Sequence, residues 1–187
     1  MTEIPPAPRP PFRTARLILR DYREDDLAAI HDYASDPEVA RYMDWGPNTP
    51  EESRAHLERV LAAQGDAPDV LNVGLEVAAE GRLIGALRFE VKDPGNRTAD
   101  VGWTIHRAYW GRGLVTEAGR EILRIAFGDM ALHRVWATCD ARNIGSWRVM
   151  EKLGMRREGV LRKANLRKDG WRDTLLYAVL AEEWAAS

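Results

Sequence analysis

Apolar positions recur along the chain with two periods, one typical of strands and one typical of helices. Val135, Ala137 and Cys139 alternate with other side chains, which predicts a strand over 134–139. Between residues 114 and 130 the apolar positions recur every three or four residues, which predicts a helix. The same periods predict other strands at 16–20, 71–78, 82–91, 98–106, 156–167 and 172–180, and other helices at 25–34, from 50 onward and at 146–153. This order, β-α-α-β-β-β-α-β-α-β-β, predicts an α/β fold whose mixed sheet has helices on its faces.

Local signals mark where several of these elements begin and end. Thr49 and Glu52 form a capping box, with Pro50 at the first helical position, so a helix begins there. Glycine is common just past the end of a helix, so Gly154 predicts that the helix at 146–153 ends there. The pair at 169–170, Asp-Gly, predicts a tight turn joining the last two strands into a hairpin.

The chain length predicts one structural domain preceded by a short arm. The chain has 187 residues, close to the usual size of a single domain. Prolines crowd residues 1–13, and proline at that density favours an extended, flexible arm. We therefore predict an arm at 1–13 and a single domain at 14–187.

Charge and composition narrow the function classes. Lys and Arg number 27 against 29 Asp and Glu, a formal net charge of −2, which argues against nucleic acid as a partner. The single cysteine, Cys139, excludes a disulfide framework, and the four histidines lack metal-ligand spacing, so no metal site is expected. No apolar run approaches the ~20 residues of a membrane span, and residues 1–12 do not form a signal peptide. A cytoplasmic protein without a membrane partner is expected.

Two loops carry residue types that suit ligand binding. The segment 110–117, Trp-Gly-Arg-Gly-Leu-Val-Thr-Glu, places two glycines before a helix, where free N–H groups could meet a phosphate. An ordinary turn explains those glycines equally well. Asn143 and Ser146 open the next helix, where a plain N-cap is the alternative to a ligand contact.

Several motifs in order resemble the GNAT superfamily of N-acetyltransferases. Gly-x-Gly is followed by Thr-Glu-Ala, a long helix, Leu-His-Arg at 132–134, Asn-x-x-Ser at 143–146 and Met-Glu-Lys-Leu-Gly-Met at 150–155. The opening segment 14–20 and Asp-Pro-Glu-Val at 36–39 are similar to the branch that includes the ribosomal-protein N-terminal (alanine) acetyltransferases. The resemblance covers about residues 14–180. It implies a GNAT-type, mostly antiparallel central sheet with about four helices on its faces.

The same resemblance implies acetyl-CoA as the acetyl donor and the residues that bind it. The loop 111–116 would hold the pyrophosphate through backbone N–H groups, and the end of the strand at 99–105 would meet the thioester. Val115 stands where the family prefers glycine or alanine. The implied cofactor-binding residues are Trp103, Thr104, Ile105, Gly111, Arg112, Gly113, Leu114, Val115, Thr116 and Asn143.

Ser146 matches the residue that this branch uses to hydrogen-bond the departing sulfur. Many other members use a tyrosine at the position of Met150 as the general acid, so Ser146 or water must take that role here.

Asp100 is the favoured base for the acceptor amine, with Glu90 and Glu76 as alternatives whose presence ion pairing would explain as well. The acceptor region implied by the family contains the aromatic side chains expected to bind substrate, Tyr33, Tyr42 and Trp45.

The predicted function is therefore an N-acetyltransferase acting on a primary amine by direct attack. The acceptor is a protein or peptide N-terminus or a small amino compound, and relatives suggest a homodimer. The alternative is a non-catalytic acyl-CoA-binding or sensor module on the same fold. An RNA- or ribosome-binding role for the basic hairpin is disfavoured by the net charge.

Overall fold

A central eight-stranded sheet organises the computed structural model, which describes residues 4–65 and 69–185. The sheet order is β1-β2-β3-β4-β5-β6-β8-β7. The strands are β1 (Phe12–Arg13), β2 (Leu17–Arg20), β3 (Val70–Val77), β4 (Arg82–Asp93), β5 (Thr98–Ile105), β6 (Arg134–Asp140), β7 (Arg156–Arg167) and β8 (Gly170–Leu180). Every strand predicted from the sequence is present, and β1 is the additional one.

Six α-helices accompany this sheet in the described part of the chain. They are α1 (Leu27–Ala34), α2 (Pro37–Ala40), α3 (Pro50–Ala63), α4 (Leu114–Arg124), α5 (Ile144–Lys152) and α6 (Ala181–Ala185). Short α2 and α6 raise the number above the four expected, and the mixed α/β fold class is confirmed. The long helix predicted to 130 ends in one π-helical stretch, Ile125–Asp129. No described helix combines the length and apolarity that crossing a membrane requires.

Neighbouring strands run antiparallel everywhere except between β5 and β6. These two are parallel and pair only where Thr98–Asp100 meets Arg134–Trp136. Beyond this point no ladder pairs the two strands, so their far ends part. The divergence opens a gap in the middle of the sheet.

Part of the predicted arm joins the fold. Phe12 pairs with Leu19 across β1 and β2 and is 9% exposed, while Ile4 and Ala7 pack against the core. The strand β1 thus lies before the domain boundary predicted at residue 14. Flexibility of the arm stays a prediction, and its first three residues lie outside the described part.

Two apolar clusters cover the two faces of the sheet. The larger one packs α4 and α5 against one face, with Leu87, Phe89 and Ile122 fully buried. The smaller one packs α1 and α3 against the other face around Ile30 and Leu57.

A buried ion-pair network anchors the segment before α1. The Arg20 guanidinium contacts Asp26 Oδ1 at 2.7 Å and Glu76 Oε2 at 2.5 Å. All three residues are at most 7% exposed. The hydrogen bond with Asp26 raises the pKa of Arg20 above its usual range, despite an opposing effect of burial. Glu76, one of the alternative bases, is therefore held in an ion pair.

Candidate active site

Two cavities meet in the gap between β5 and β6. The smaller, of about 480 Å³, lies against the start of α4, and the larger, of about 630 Å³, lies between the sheet, α1, α3 and the β7–β8 hairpin. The residues that line both cavities are Tyr42, Met43, Trp103, Asn143 and Ser146. A molecule bound in one cavity can thus reach a molecule bound in the other at this junction.

The start of α4 presents free backbone donors to the smaller cavity. Gly111 and Gly113 have φ values of 73° and 77°, a left-handed conformation that strongly favours glycine. Gly113 is the N-cap residue and no side chain caps the helix. Its first-turn N–H groups lack intrahelical acceptors, and the helix dipole favours an anion there. A Cβ atom at Gly111 would meet nothing within 4 Å, so the loop leaves space for a ligand.

Contacts from the segment between β1 and β2 hold this loop in place. Arg16 donates to the Arg112 carbonyl at 2.9 Å and to Glu117 Oε2 at 2.7 Å, and Thr14 donates to Glu117 Oε1 at 2.6 Å. Although burial acts to raise the pKa of Glu117, the hydrogen bonds from Thr14 and Arg16 lower it. Sequence reasoning missed this support because about a hundred residues separate the partners. The sequence shows only that Arg16 and Glu117 carry opposite charges.

The start of α5 forms the opposite side of the junction. Asn143 caps the helix, with its Oδ1 accepting the Ser146 N–H at 3.2 Å, so the N-cap interpretation is confirmed. Burial raises the pKa of the neighbouring Cys139 thiol to about 11, against the opposing effect of a hydrogen bond with the Ser146 side chain. The Ser146 hydroxyl thus sits at the junction beside a neutral thiol.

The expected cofactor-binding residues divide between the cavities. Trp103 and Asn143 line both, and Thr104 lines the larger one alone. Arg112 lines neither, and its guanidinium stacks over the Tyr109 ring at 4.9 Å. The remaining ones line the smaller cavity, namely Ile105, Gly111, Gly113, Leu114, Val115 and Thr116.

The larger cavity has a sheet floor and a helical wall. Asn72, Arg88 and Gly102 form one cross-strand row of the floor, since register places them directly opposite one another. The wall is one face of α3, contributed at helical spacing by Glu52, Ala55, His56 and Arg59. A Cβ atom at Gly102 would meet nothing within 4 Å, so this position opens directly on the cavity.

Aromatic side chains and the hairpin tip complete the larger cavity. The three residues expected to bind substrate, Tyr33, Tyr42 and Trp45, all line it. At the tip of the β7–β8 hairpin, Lys168 donates to the Gly46 carbonyl in the loop between α2 and α3. This contact joins the two segments that cover the cavity.

Asp100 lies on the cavity-facing side of β5 but lines neither cavity. Its carboxylate is 3.7 Å from Arg88 Nη1 and 4.0 Å from Lys92 Nζ, and one oxygen is buried without a hydrogen-bond partner. Burial raises the pKa of Asp100, although Lys92 and Arg88 act to lower it. Glu90 is ion-paired with the same two cations.

Comparison with known proteins identifies the family. The model of the acetyltransferase (GNAT) domain matches residues 16–156. The chain belongs to the GNAT family of N-acetyltransferases. It is 38% identical over 171 residues to the uncharacterized N-acetyltransferase YnaD of Bacillus subtilis, covering 91% of this chain and 97% of that protein.

Other relatives agree with this assignment. A GNAT-family acetyltransferase structure from Bacillus anthracis superposes with a TM-score of 0.81 at 35% identity, covering 91% of this chain and 98% of that one. The [ribosomal protein uS5]-alanine N-acetyltransferase of Escherichia coli is 25% identical over 187 residues, covering 95% of this chain and 94% of that protein. Relatives thus include ribosomal-protein acetyltransferases, as the sequence motifs predicted.

Proposed function

We propose that this acetyltransferase moves the acetyl group of acetyl-CoA directly to a primary amine held in the larger cavity. The observation that carries the proposal is the junction at Trp103 and Ser146, where the two cavities meet. Acetyl-CoA would supply an activated thioester carbonyl there. The smaller cavity would hold its pyrophosphate at the uncapped start of α4, where the free N–H groups and the helix dipole attract phosphate.

Backbone groups at the free end of β5 would position the reacting carbonyl. The segment Trp103–Ile105 lies beyond the last pair of β5 with β6, so its groups on that side have no ladder partner in β6. One well-placed N–H donor to the developing oxyanion is typically worth about 3 kcal/mol. Asn143 and the loop containing Arg112 would complete the cofactor contacts.

Ser146 is the proposed donor to the departing CoA sulfur. Ser146 is favoured for this role because it lies at the junction, and because Met150 occupies the position where many other members have a tyrosine. Cys139 is a poor nucleophile, because a thiol of pKa about 11 carries almost no thiolate at neutral pH. Direct attack by the amine is therefore favoured over a route through an acyl-cysteine.

Asp100 is the proposed base, acting on the acceptor amine through water. Its raised pKa makes it a better proton acceptor than an ordinary aspartate, and it lies two residues from Gly102 on the same face of β5. An amine with a pKa near 8 to 10.4 is mostly protonated at neutral pH, so such a base assists attack. The aromatic side chains of Tyr33, Tyr42 and Trp45 would enclose the acceptor.

The deciding experiment combines acetyl-CoA binding with CoA release in the presence of peptide N-termini and small primary amines. Saturable, amine-dependent CoA release supports the proposal. Tight acetyl-CoA binding without release for any amine would instead support a non-catalytic acyl-CoA sensor. Failure to bind acetyl-CoA at millimolar concentration would contradict both.

Ser146→Ala tests the leaving-group donor. We expect kcat to fall by about 100-fold, the lower range for loss of a positioned acid, while acetyl-CoA affinity stays within about twofold. The backbone cap is kept, since Asn143 accepts from the Ser146 N–H and not from its hydroxyl. An unchanged kcat, measured where chemistry limits the rate, would rule out this role.

Gly102→Val tests the assignment of the larger cavity to the acceptor. The new side chain enters open space on the sheet floor, so we expect the acceptor KM to rise by about tenfold with little change in acetyl-CoA affinity. The matched control is Gly159→Val, another strand glycine with nothing within 4 Å that lines neither cavity. Equal effects of the two variants on the acceptor KM would contradict the assignment.

A further inference from the structure

One face of the β7–β8 hairpin presents a polar wall to the larger cavity. Asn165 lies directly opposite Arg172 in the ladder, and Arg167 and Thr174 follow two residues further along their strands on the same face. All four line the cavity. Asn165 Nδ2 donates to Thr174 Oγ1 at 2.6 Å, which ties these two side chains to each other and leaves the two arginines as the charged groups of the wall.

The two arginines have unused hydrogen-bond donors. Arg167 makes no side-chain hydrogen bond or ion pair with any residue that the structure describes. The Nε atom of Arg172 is buried without a hydrogen-bond partner, and the nearest oxygen of Asp140 lies 3.9 Å away. A buried guanidinium donor without an acceptor is costly, so an acceptor from a bound molecule would stabilise this arrangement.

Nearby carboxylates compensate Arg172 only in part, and no described carboxylate pairs with Arg167. Asp140 receives two hydrogen bonds from the Arg142 guanidinium, at 2.8 and 3.0 Å. Asp169 is shared between Arg142 and Arg172. Arg167 therefore keeps its charge uncompensated beside the partly satisfied Arg172.

The opposite wall also contributes a guanidinium group. Arg59 on α3 lines the cavity, and no described residue forms an ion pair or a side-chain hydrogen bond with it. Of the cavity's remaining acids, Glu52 accepts the Thr49 N–H at 2.8 Å in the capping box, and Asp44 is exposed. The cavity thus offers guanidinium groups on two sides and carboxylates that are partly used or open to water.

We propose that the acceptor amine carries an anionic group, a carboxylate or a phosphate, that binds between Arg167 and Arg172. Guanidinium groups recognise both anions through paired, charge-assisted hydrogen bonds. The anion on the hairpin wall would orient the molecule with its amine toward the junction at Ser146. This inference rests on the proposed function, because it assigns the larger cavity to the acceptor.

The test compares paired acceptors in the wild type and in Arg167→Gln. One pair is α-amino acids and their amides, and the other is phosphoethanolamine and ethanolamine. We expect Arg167→Gln to lower kcat/KM at least about tenfold for the anionic members and less than about twofold for the neutral ones. Each acceptor is its own reference, so differences in amine pKa cancel. The pair that shows the larger effect distinguishes carboxylate from phosphate.

Arg162→Gln is the matched control, since Arg162 lies on the same strand, is exposed and lines neither cavity. It should leave both acceptor classes unchanged. Equal losses on anionic and neutral acceptors in Arg167→Gln, or neutral acceptors that outperform their anionic partners in the wild type, would overturn the inference.

A binding measurement separates this inference from the proposed reaction. Calorimetry with the same anionic amines, on protein saturated with CoA, requires no turnover. Binding that depends on Arg167 without any CoA release would support the anion site while contradicting the proposed function. Release of CoA in the presence of neutral amines, together with no Arg167-dependent binding of anionic amines, would support the proposed function and contradict the anion site.

Discussion

Acetyl-CoA is expected to bind about a hundredfold more weakly to Gly113→Asp than to Gly113→Asn. Both side chains tolerate the left-handed backbone of residue 113 better than most, and they have nearly the same shape. Only the aspartate adds negative charge beside the proposed pyrophosphate site. With an effective dielectric constant of about 20, a unit charge about 5 Å from a phosphate costs about 3 kcal/mol. Isothermal calorimetry measures the two affinities directly.

The melting temperatures of the two variants should not follow the order of their acetyl-CoA affinities. A carboxylate near the start of α4 interacts favourably with the helix dipole, so Gly113→Asp should melt no lower than Gly113→Asn. Gly81→Asp provides the control for a charge placed on a left-handed glycine elsewhere, since Gly81 has a φ of 60° and open space around it in the turn between β3 and β4. Equal acetyl-CoA affinities for the Asp and Asn variants at 113 would show that the pyrophosphate binds elsewhere.

Arg20→Met is expected to reduce the free energy of unfolding by about 3–5 kcal/mol. The substitution leaves the carboxylates of Asp26 and Glu76 buried without their common cation, and an uncompensated buried charge is strongly destabilising. Urea denaturation, followed by circular dichroism, gives the free energy of unfolding of each variant. Arg20→Lys should recover part of the loss, because it restores the charge without the forked geometry.

Arg82→Met is the matched control for this loss. Arg82 also pairs with a carboxylate, Asp32 Oδ2 at 2.6 Å, but both side chains are 48% exposed. An exposed ion pair contributes about 0–1 kcal/mol. Similar losses for the two variants would mean that the Arg20 network is no more important than a surface pair.

Much of the fold could be predicted because its signals are local. The capping box at Thr49 and Glu52 forms as expected, with Thr49 Oγ1 accepting the Glu52 N–H at 3.2 Å. Gly154 takes a φ of 77° just past α5, as a C-terminal glycine should. Strand β1 was missed because a two-residue strand next to prolines has no periodic pattern, and it exists only through its pairing with β2.

The candidate site could be predicted only in part. The glycine loop and the segment Asn143–Ser146 were found because a glycine pair and an N-cap are visible in the sequence. Arg16 was not found, since its role depends on a contact with Glu117 across the fold. Arg167 and Arg172 were not found either, because the sequence shows a basic hairpin but not which of its side chains face the cavity.

The sequence by itself determined the order of the elements, the two loops at helix starts and the family of the protein. These depend on periodicity, turn residues and motif order, which act between residues close in the chain. The tertiary structure decided where β5 and β6 part, which cavities meet there and which charges remain unpaired. Those properties depend on contacts between distant segments, such as Arg16 with Glu117 and Lys168 with Gly46, which no local pattern encodes.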